Sequence, residues 1–244
     1  RFAAPLPLPA AVTRECRITA RSQSWLLQDG VMTRMCHVRL QSRDLAPNLR
    51  RINHFSPLAR GMVFLAAAAG SLPPLWEGEM TATGPELPLE GFYADCGMAE
   101  GWHLVEELVP AGNDLWQGRF DGRAQGIAPA GKSGYCSLLS AVDAILQAAC
   151  RIMEDTVPGE EVAGGRLLWP QGWRLSGIGF IRFADTERLC DAQMPWRIQL
   201  RRGWDDERLQ RYDAQVVDAD GRVLLTLHQM EFEKDVRPQE GAGA

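Results

Sequence analysis

One segment constrains the fold of this chain more than any other. Between residues 137 and 153 the apolar side chains Leu138, Leu139, Val142, Ile145, Leu146, Ala149, Ile152 and Met153 recur at helical spacing and predict a single buried face. Ser137 is the expected N-cap. A helix with such a stripe needs a second layer to cover it. The flanking sequence offers strands for that purpose. Residues 15–22 and 31–40 alternate as strands around an Asp29-Gly30 turn. Residues 103–109, 114–120, 177–183, 196–201, 212–217 and 222–232 read the same way, with a turn at Asp218-Ala219-Asp220-Gly221 joining the last two.

A second apolar run lies at 61–69 and stops at Gly70. It reads as a short helix, apolar on every side and therefore buried. Residues 41–60 are polar and Arg-rich and read as loop. Residues 70–91 hold four prolines and, counting Gly91, four glycines. They form the best boundary in the chain. Each side of it then offers one helix among antiparallel strands. That pattern predicts an α+β protein of the double hotdog kind, two antiparallel sheets each wrapped on a central helix. The expected parts are an N-terminal hotdog with linker over 1–90, a C-terminal hotdog over 91–236, and a tail over 237–244.

Charge narrows the partners. The 26 basic residues comprise 24 Arg and only Lys132 and Lys234, and the net charge is −5. The first sixty residues hold ten Arg against three acids, Glu15, Asp29 and Asp44, a local balance of +7. A basic N-terminal part suits an acidic partner or simply a solvated face. A net-acidic chain without aromatics interleaved among its arginines is a poor nucleic-acid binder. No apolar run is long enough to span a bilayer, and the N-terminal residues do not read as a signal peptide. The expectation is a cytoplasmic protein. Six cysteines without a C-x-x-C pair read as reduced thiols, with Cys16, Cys36 and Cys150 in apolar patterns. The four histidines are too scattered for a metal site.

Gly126 to Ser133 (GIAPAGKS) fits the phosphate-loop pattern G-x-x-x-x-G-K-[ST]. The pattern needs a buried strand before it and a helix after it. Here DGRAQ precedes it and Gly134 follows at once, which weakens a helix start. A loop carrying Lys132 is the better reading.

Asp143 is the sharper feature. It sits in the middle of the amphipathic helix, four residues before Gln147, so both project from one face. Leu139, Leu146 and Cys150 flank that face. Burial there should raise the carboxyl pKa and make Asp143 a candidate general acid. Gln147 would hydrogen-bond the carboxyl or hold a substrate oxygen. The alternative is that both merely cap buried backbone groups.

These residues carry a resemblance. Ala141-Val142-Asp143-Ala144-Ile145-Leu146-Gln147 resembles the L-L-D-A-x-x-Q helix of dehydratase domains in modular polyketide synthases. Leu175 to Phe183 (LSGIGFIRF) is similar to that family's L-P-x-G-I-x-x-(I/F)-R-(F/W) strand, and Tyr212 to Phe232 to its closing hairpin. Phe92-Tyr93 and Gly97-x-x-x-Gly101 resemble the start of its second hotdog. The likeness runs from about residue 91 to 233. It implies a double hotdog that removes water from a β-hydroxyacyl thioester carried on an acyl carrier protein. A histidine of the first hotdog takes the α-proton and an aspartate of the second protonates the leaving hydroxyl. The acid then maps to Asp143 and its helper to Gln147. The resemblance implies no metal or redox cofactor, since the phosphopantetheine arm belongs to the carrier. It implies a piece of a bacterial synthase, with the carrier, neighbouring domains such as a ketosynthase, and a second copy of the chain as candidate partners.

The first half departs from the family. Its H-x-x-x-G-x-x-x-x-P motif precedes the first central helix. If that helix starts at Gly61, the histidine position falls near Arg51 and the proline near Arg60. His54 is then the nearest candidate base, with His37 and His103 behind it. A second alignment puts Pro5 to Pro9 on later first-hotdog strands, and the motif then precedes Arg1. In the second half, Gly101-Trp102-His103-Leu104 replaces G-P-x-F, and Leu138-Leu139 replaces His-Pro. Arginine cannot act as a base, and losing one typically costs about 10²–10⁴-fold in rate. A non-dehydrating domain, of a branching or structural kind that positions the chain for a ketosynthase, is the alternative function.

Overall fold

The structure is a computed structural model, and it describes residues 13–28, 31–45, 54–66, 73–76, 80–96, 98, 100–120, 134–156, 173–184 and 195–234. It divides into two compact units, Arg1–Ala69 and Gly70–Ala244.

The first unit is a three-stranded antiparallel sheet in the order β1-β2-β3. β1 is Thr13–Gln28, β2 is Val31–Leu45 and β3 is Ser56–Ala66. The two strands expected around Asp29-Gly30 are present and run longer than the alternating residues alone indicate. The helix expected at 61–69 is not: Gly61 to Ala66 is the second half of β3. The reading of 41–60 as loop also fails at both ends. A short apolar run cannot distinguish helix from strand by periodicity. Here β2 decides, because it pairs with β3 from Thr33↔Ala66 to Ser42↔Ser56 and non-local pairing overrides local preference. Nor is the run buried, since Met62, Val63 and Leu65 are exposed.

Register sorts this sheet into two faces. Ile18 lies opposite Leu40 and Leu40 opposite Ala59, with Trp25, Leu27, Met32, Val63 and Leu65 on the same side. The other side places Thr19, Arg39 and Arg60 in one row and Arg21, His37 and Met62 in the next. At one end Arg43 pairs with Glu15, and Arg17 stacks over Phe55 at 3.9 Å.

The second unit holds a six-stranded antiparallel sheet in the order β4-β5-β7-β8-β9-β6. Its strands are β4 (Glu107–Gly112), β5 (Leu115–Phe120), β6 (Trp173–Phe183), β7 (Trp196–Asp205), β8 (Leu209–Val217) and β9 (Val223–Lys234). The helices are α1 (Glu90–Asp95) and α2 (Gly134–Thr156), with one 3-10 turn, Glu100–Trp102. α2 is the helix the sequence predicts, but it begins at Gly134, three residues before the expected Ser137 cap. Its inner face carries Ala141, Ala144, Ile145, Ala148, Ala149, Ile152 and Met153, all at most 1% exposed. The alanines let the helix approach the sheet closely. Phe120, Trp196, Ile198, Leu200, Tyr212, Leu225, Leu227 and Phe232 cover it from the sheet. Each such side chain contributes about 1.5–3 kcal/mol by leaving water. A single long helix cradled by an antiparallel sheet is the hotdog arrangement. Among the described residues the first unit has no helix.

The β8–β9 hairpin turns where expected. The Asp218 carboxylate accepts from the backbone N–H groups of Asp220 and Arg222, and from Arg222 Nε at 2.7 Å, while Gly221 takes φ +79°. Residues 103–106 are not strand, because β4 starts only at Glu107. Cys150 is buried, Cys36 half-buried and Cys16 exposed, all three as thiols. No helix among the described residues is long and apolar enough to cross a membrane. The phosphate-loop match at 126–133 lies outside the described residues.

Candidate functional site

Asp143 and Gln147 project from the same side of α2, as their spacing requires. Gln147 Nε2 donates to Asp143 Oδ2 at 3.1 Å. Asp143 is half-buried. Loss of water raises its carboxyl above the ordinary range, and the bond from Gln147 opposes that only in part. The carboxyl therefore holds its proton to higher pH than a solvated aspartate, as a proton donor needs.

Gln147 is 1% exposed. Its second Nε2 proton goes to the Trp102 carbonyl at 3.0 Å. Its Oε1 accepts from Leu104 N–H at 3.1 Å and lies 3.1 Å from the Tyr93 hydroxyl. Both Nε2 protons are committed within the protein, so Gln147 has no donor left for a substrate oxygen. Of the two tasks expected of Gln147, the geometry fits the first, holding the carboxyl. Gln147 also clamps the backbone on either side of His103.

Tyr93 completes the cluster. α1 buries it, with Phe92, beneath the 102–105 segment. Its hydroxyl accepts from Val105 N–H at 3.0 Å and lies 3.1 Å from both Val105 O and Gln147 Oε1. It has one proton for these two acceptors. Burial raises its pKa and keeps it protonated. His103 stacks on the Tyr93 ring at 4.2 Å with the planes 4° apart. Its Nε2 lies 3.0 Å from Met98 O. A carbonyl can only accept, so Nε2 carries a hydrogen in this contact. His103 follows the 3-10 turn directly, beside an exposed Trp102. The sequence reading missed this loop, although Phe92-Tyr93 and Gly101 were among its matched letters.

The other two candidate bases, His54 and His37, belong to the first unit. His54 is exposed and sits just before β3 in the first unit, whereas Asp143 belongs to the second. His37 is on β2, opposite Arg21 and Met62. The alignment that favoured His54 needed a helix starting at Gly61, and β3 occupies that position. Among the described residues no group of three or more His, Cys, Asp or Glu side chains is placed to hold a metal ion.

No family model matches the chain, and no curated protein does. Solved structures do match. The bifunctional dehydratase-cyclase domain of ambruticin biosynthesis aligns at 16% identity and a TM-score of 0.56, over 95% of this chain and 73% of that one. The dehydratase domain of RzxB from Pseudomonas fluorescens aligns at 16% identity and a TM-score of 0.53, over 93% and 78%. The dehydratase domain of the CurH module of the curacin polyketide synthase aligns at 12% identity and a TM-score of 0.52, over 93% and 78%. The chain therefore has the α+β hotdog fold of polyketide synthase dehydratase domains.

Proposed function

We propose that this chain is a dehydratase-type domain of a polyketide synthase, acting on a β-hydroxyacyl or enoyl thioester carried by an acyl carrier protein, with Asp143 as its proton donor. The observation that carries this reading is the half-buried Asp143 carboxyl, raised by desolvation and fixed by Gln147 at 3.1 Å, within a fold shared with such domains. In the dehydrating direction a base removes the α-proton. The Cα–Cβ double bond forms as the Cβ–O bond breaks, and the Asp143 proton leaves with the hydroxyl as water. Asp143 ends as carboxylate and regains its proton before the next turnover. Incubating the full chain with a β-hydroxyacyl carrier protein and following the loss of one water by mass spectrometry tests the reading.

A second reading has its own support. β3 replaces the helix that would anchor the family's histidine motif, and His54 is exposed. A domain that holds the carrier-bound chain for a neighbouring ketosynthase, without dehydrating it, needs no base. It would bind the acyl carrier protein and leave its mass unchanged.

Either reading gives the basic side of the first sheet a partner. Arg39 and Arg60 lie directly opposite one another there, and a carrier with an acidic surface complements them. Charge reversal at both, Arg39→Glu with Arg60→Glu, is expected to weaken carrier binding about tenfold at low salt and less at high salt. Unchanged affinity at low salt would remove this surface from the interaction. Arg50 and Arg51, which the sequence groups with Arg60, lie outside the described residues.

A further inference from the structure

On the dehydratase reading above, we infer that His103 is the base of this site, taking the α-proton while Asp143 supplies the proton that leaves with the hydroxyl. Both proton-transfer groups then belong to the second unit. A base for the α-carbon has to be neutral when it acts, held in place and open to the substrate. Histidine is the side chain suited to that near neutral pH. Of the four histidines in the chain, only His103 joins the Asp143 cluster among the described residues. His37 and His54 belong to the first unit. His228 follows the buried Leu227 on β9 but meets Phe180, outside the core.

The chain around His103 is fixed from both sides. Gln147 Nε2 bonds the Asp143 carboxyl and the Trp102 carbonyl, and Gln147 Oε1 accepts from Leu104 N–H. One amide thus holds the acid and the peptide groups that flank His103. The His103 backbone N–H donates to Glu100 O at 3.1 Å. Its ring is fixed as well, with Tyr93 stacked on one face and Met98 O taking the Nε2 hydrogen. A backbone carbonyl on one ring nitrogen sets the tautomer of the neutral ring, so its lone pair is on Nδ1. Nδ1 bonds no described residue and is open to solvent. The ring is held by one nitrogen and one face, and the basic nitrogen is left free.

The same setting suits the ring once it has taken a proton. An imidazolium over the Tyr93 ring gains a cation–π contact, and its bond to Met98 O becomes charge-assisted. In the reaction Nδ1 takes the α-proton, and the C–H electron pair becomes the second Cα–Cβ bond. The Cβ–O pair leaves with the hydroxyl, which Asp143 protonates to water. His103 ends as imidazolium and Asp143 as carboxylate. One proton passing from the first to the second through solvent restores both.

Two variants separate the base from its structural contacts. His103→Gln keeps a donor for Met98 O and loses the stack. His103→Phe keeps the stack on Tyr93 and loses the donor. Both lose the basic nitrogen. His103 is only half-buried and each variant keeps one contact, so both should melt cooperatively by circular dichroism. Rates of water loss from β-hydroxyacyl carrier proteins of each stereochemistry, followed by mass spectrometry with the full chain, are expected to fall at least a hundredfold in both variants. A rate near that of the wild type in either variant would mark a structural role and overturn His103 as the base, leaving the dehydratase reading in place. A wild type that releases no water from any stereoisomer would overturn that reading and the assignment of His103 with it.

Discussion

Replacing Gln147 by alanine is expected to lower the melting temperature by roughly 6–12 °C, about 3 kcal/mol at the 2–4 °C per kcal/mol usual for a unit of this size. The side chain is 1% exposed and ties α2 to the 102–105 segment by two backbone bonds, to Trp102 O and from Leu104 N–H. Each buried backbone group left without a partner costs about 1–3 kcal/mol, and the truncation leaves a cavity as well. Tyr93 is less affected, because its hydroxyl still bonds Val105. Tyr93→Phe should therefore cost less than Gln147→Ala. Thermal melts by circular dichroism of both variants check the order. A shift under about 2 °C for Gln147→Ala would mean that the clamp does not hold the loop.

Asp143→Asn has the opposite signature, a large loss of rate on an intact fold. Removing a general acid typically costs about 10²–10⁴-fold, and asparagine preserves the shape and can still accept from Gln147. Its effect on stability has a definite sign. Burial raises the Asp143 pKa, so the folded chain binds more protons than the unfolded one between the ordinary carboxyl range and the raised value. Stability at this group is full below that window and falls as pH rises through it. Asparagine removes the slope. The variant should match the wild type below the ordinary carboxyl range and exceed it slightly at neutral pH. Water screens a half-buried carboxylate, which keeps the gain to a fraction of a kcal/mol. Melting curves from pH 3 to 8 check this. A variant less stable than wild type at pH 7 would show that the ionised carboxylate is favoured where it sits.

The parts of the fold legible in the sequence are those whose pattern is local and long. α2 announces itself through eight apolar positions at helical spacing, and the β8–β9 hairpin through Asp218-Ala219-Asp220-Gly221. β3 was not legible. Gly61 to Ala66 is equally apolar as helix or strand, and the residues that decide it lie on β2, more than twenty positions away. The candidate site divides the same way. Asp143 and Gln147 share a helix, so spacing alone brings them together. The other bonds of Gln147 go to residues more than forty positions away, and no periodicity encodes that contact. The sequence reads 103–109 as one strand, whereas β4 begins only at Glu107. The Gln147 clamp on the neighbours of His103 instead leaves the start of that stretch as a loop stacked on Tyr93.

The central claim is that Asp143 delivers a proton to the oxygen of a carrier-bound acyl chain. It is tested most directly by mass spectrometry of β-hydroxyacyl carrier proteins of each stereochemistry, incubated with the full chain or its Asp143→Asn variant. The account predicts loss of one water from one stereoisomer with the wild type and, with the variant, at least a hundredfold slower loss. Equal rates for the two proteins, or no loss of water from any stereoisomer with the wild type, would contradict it.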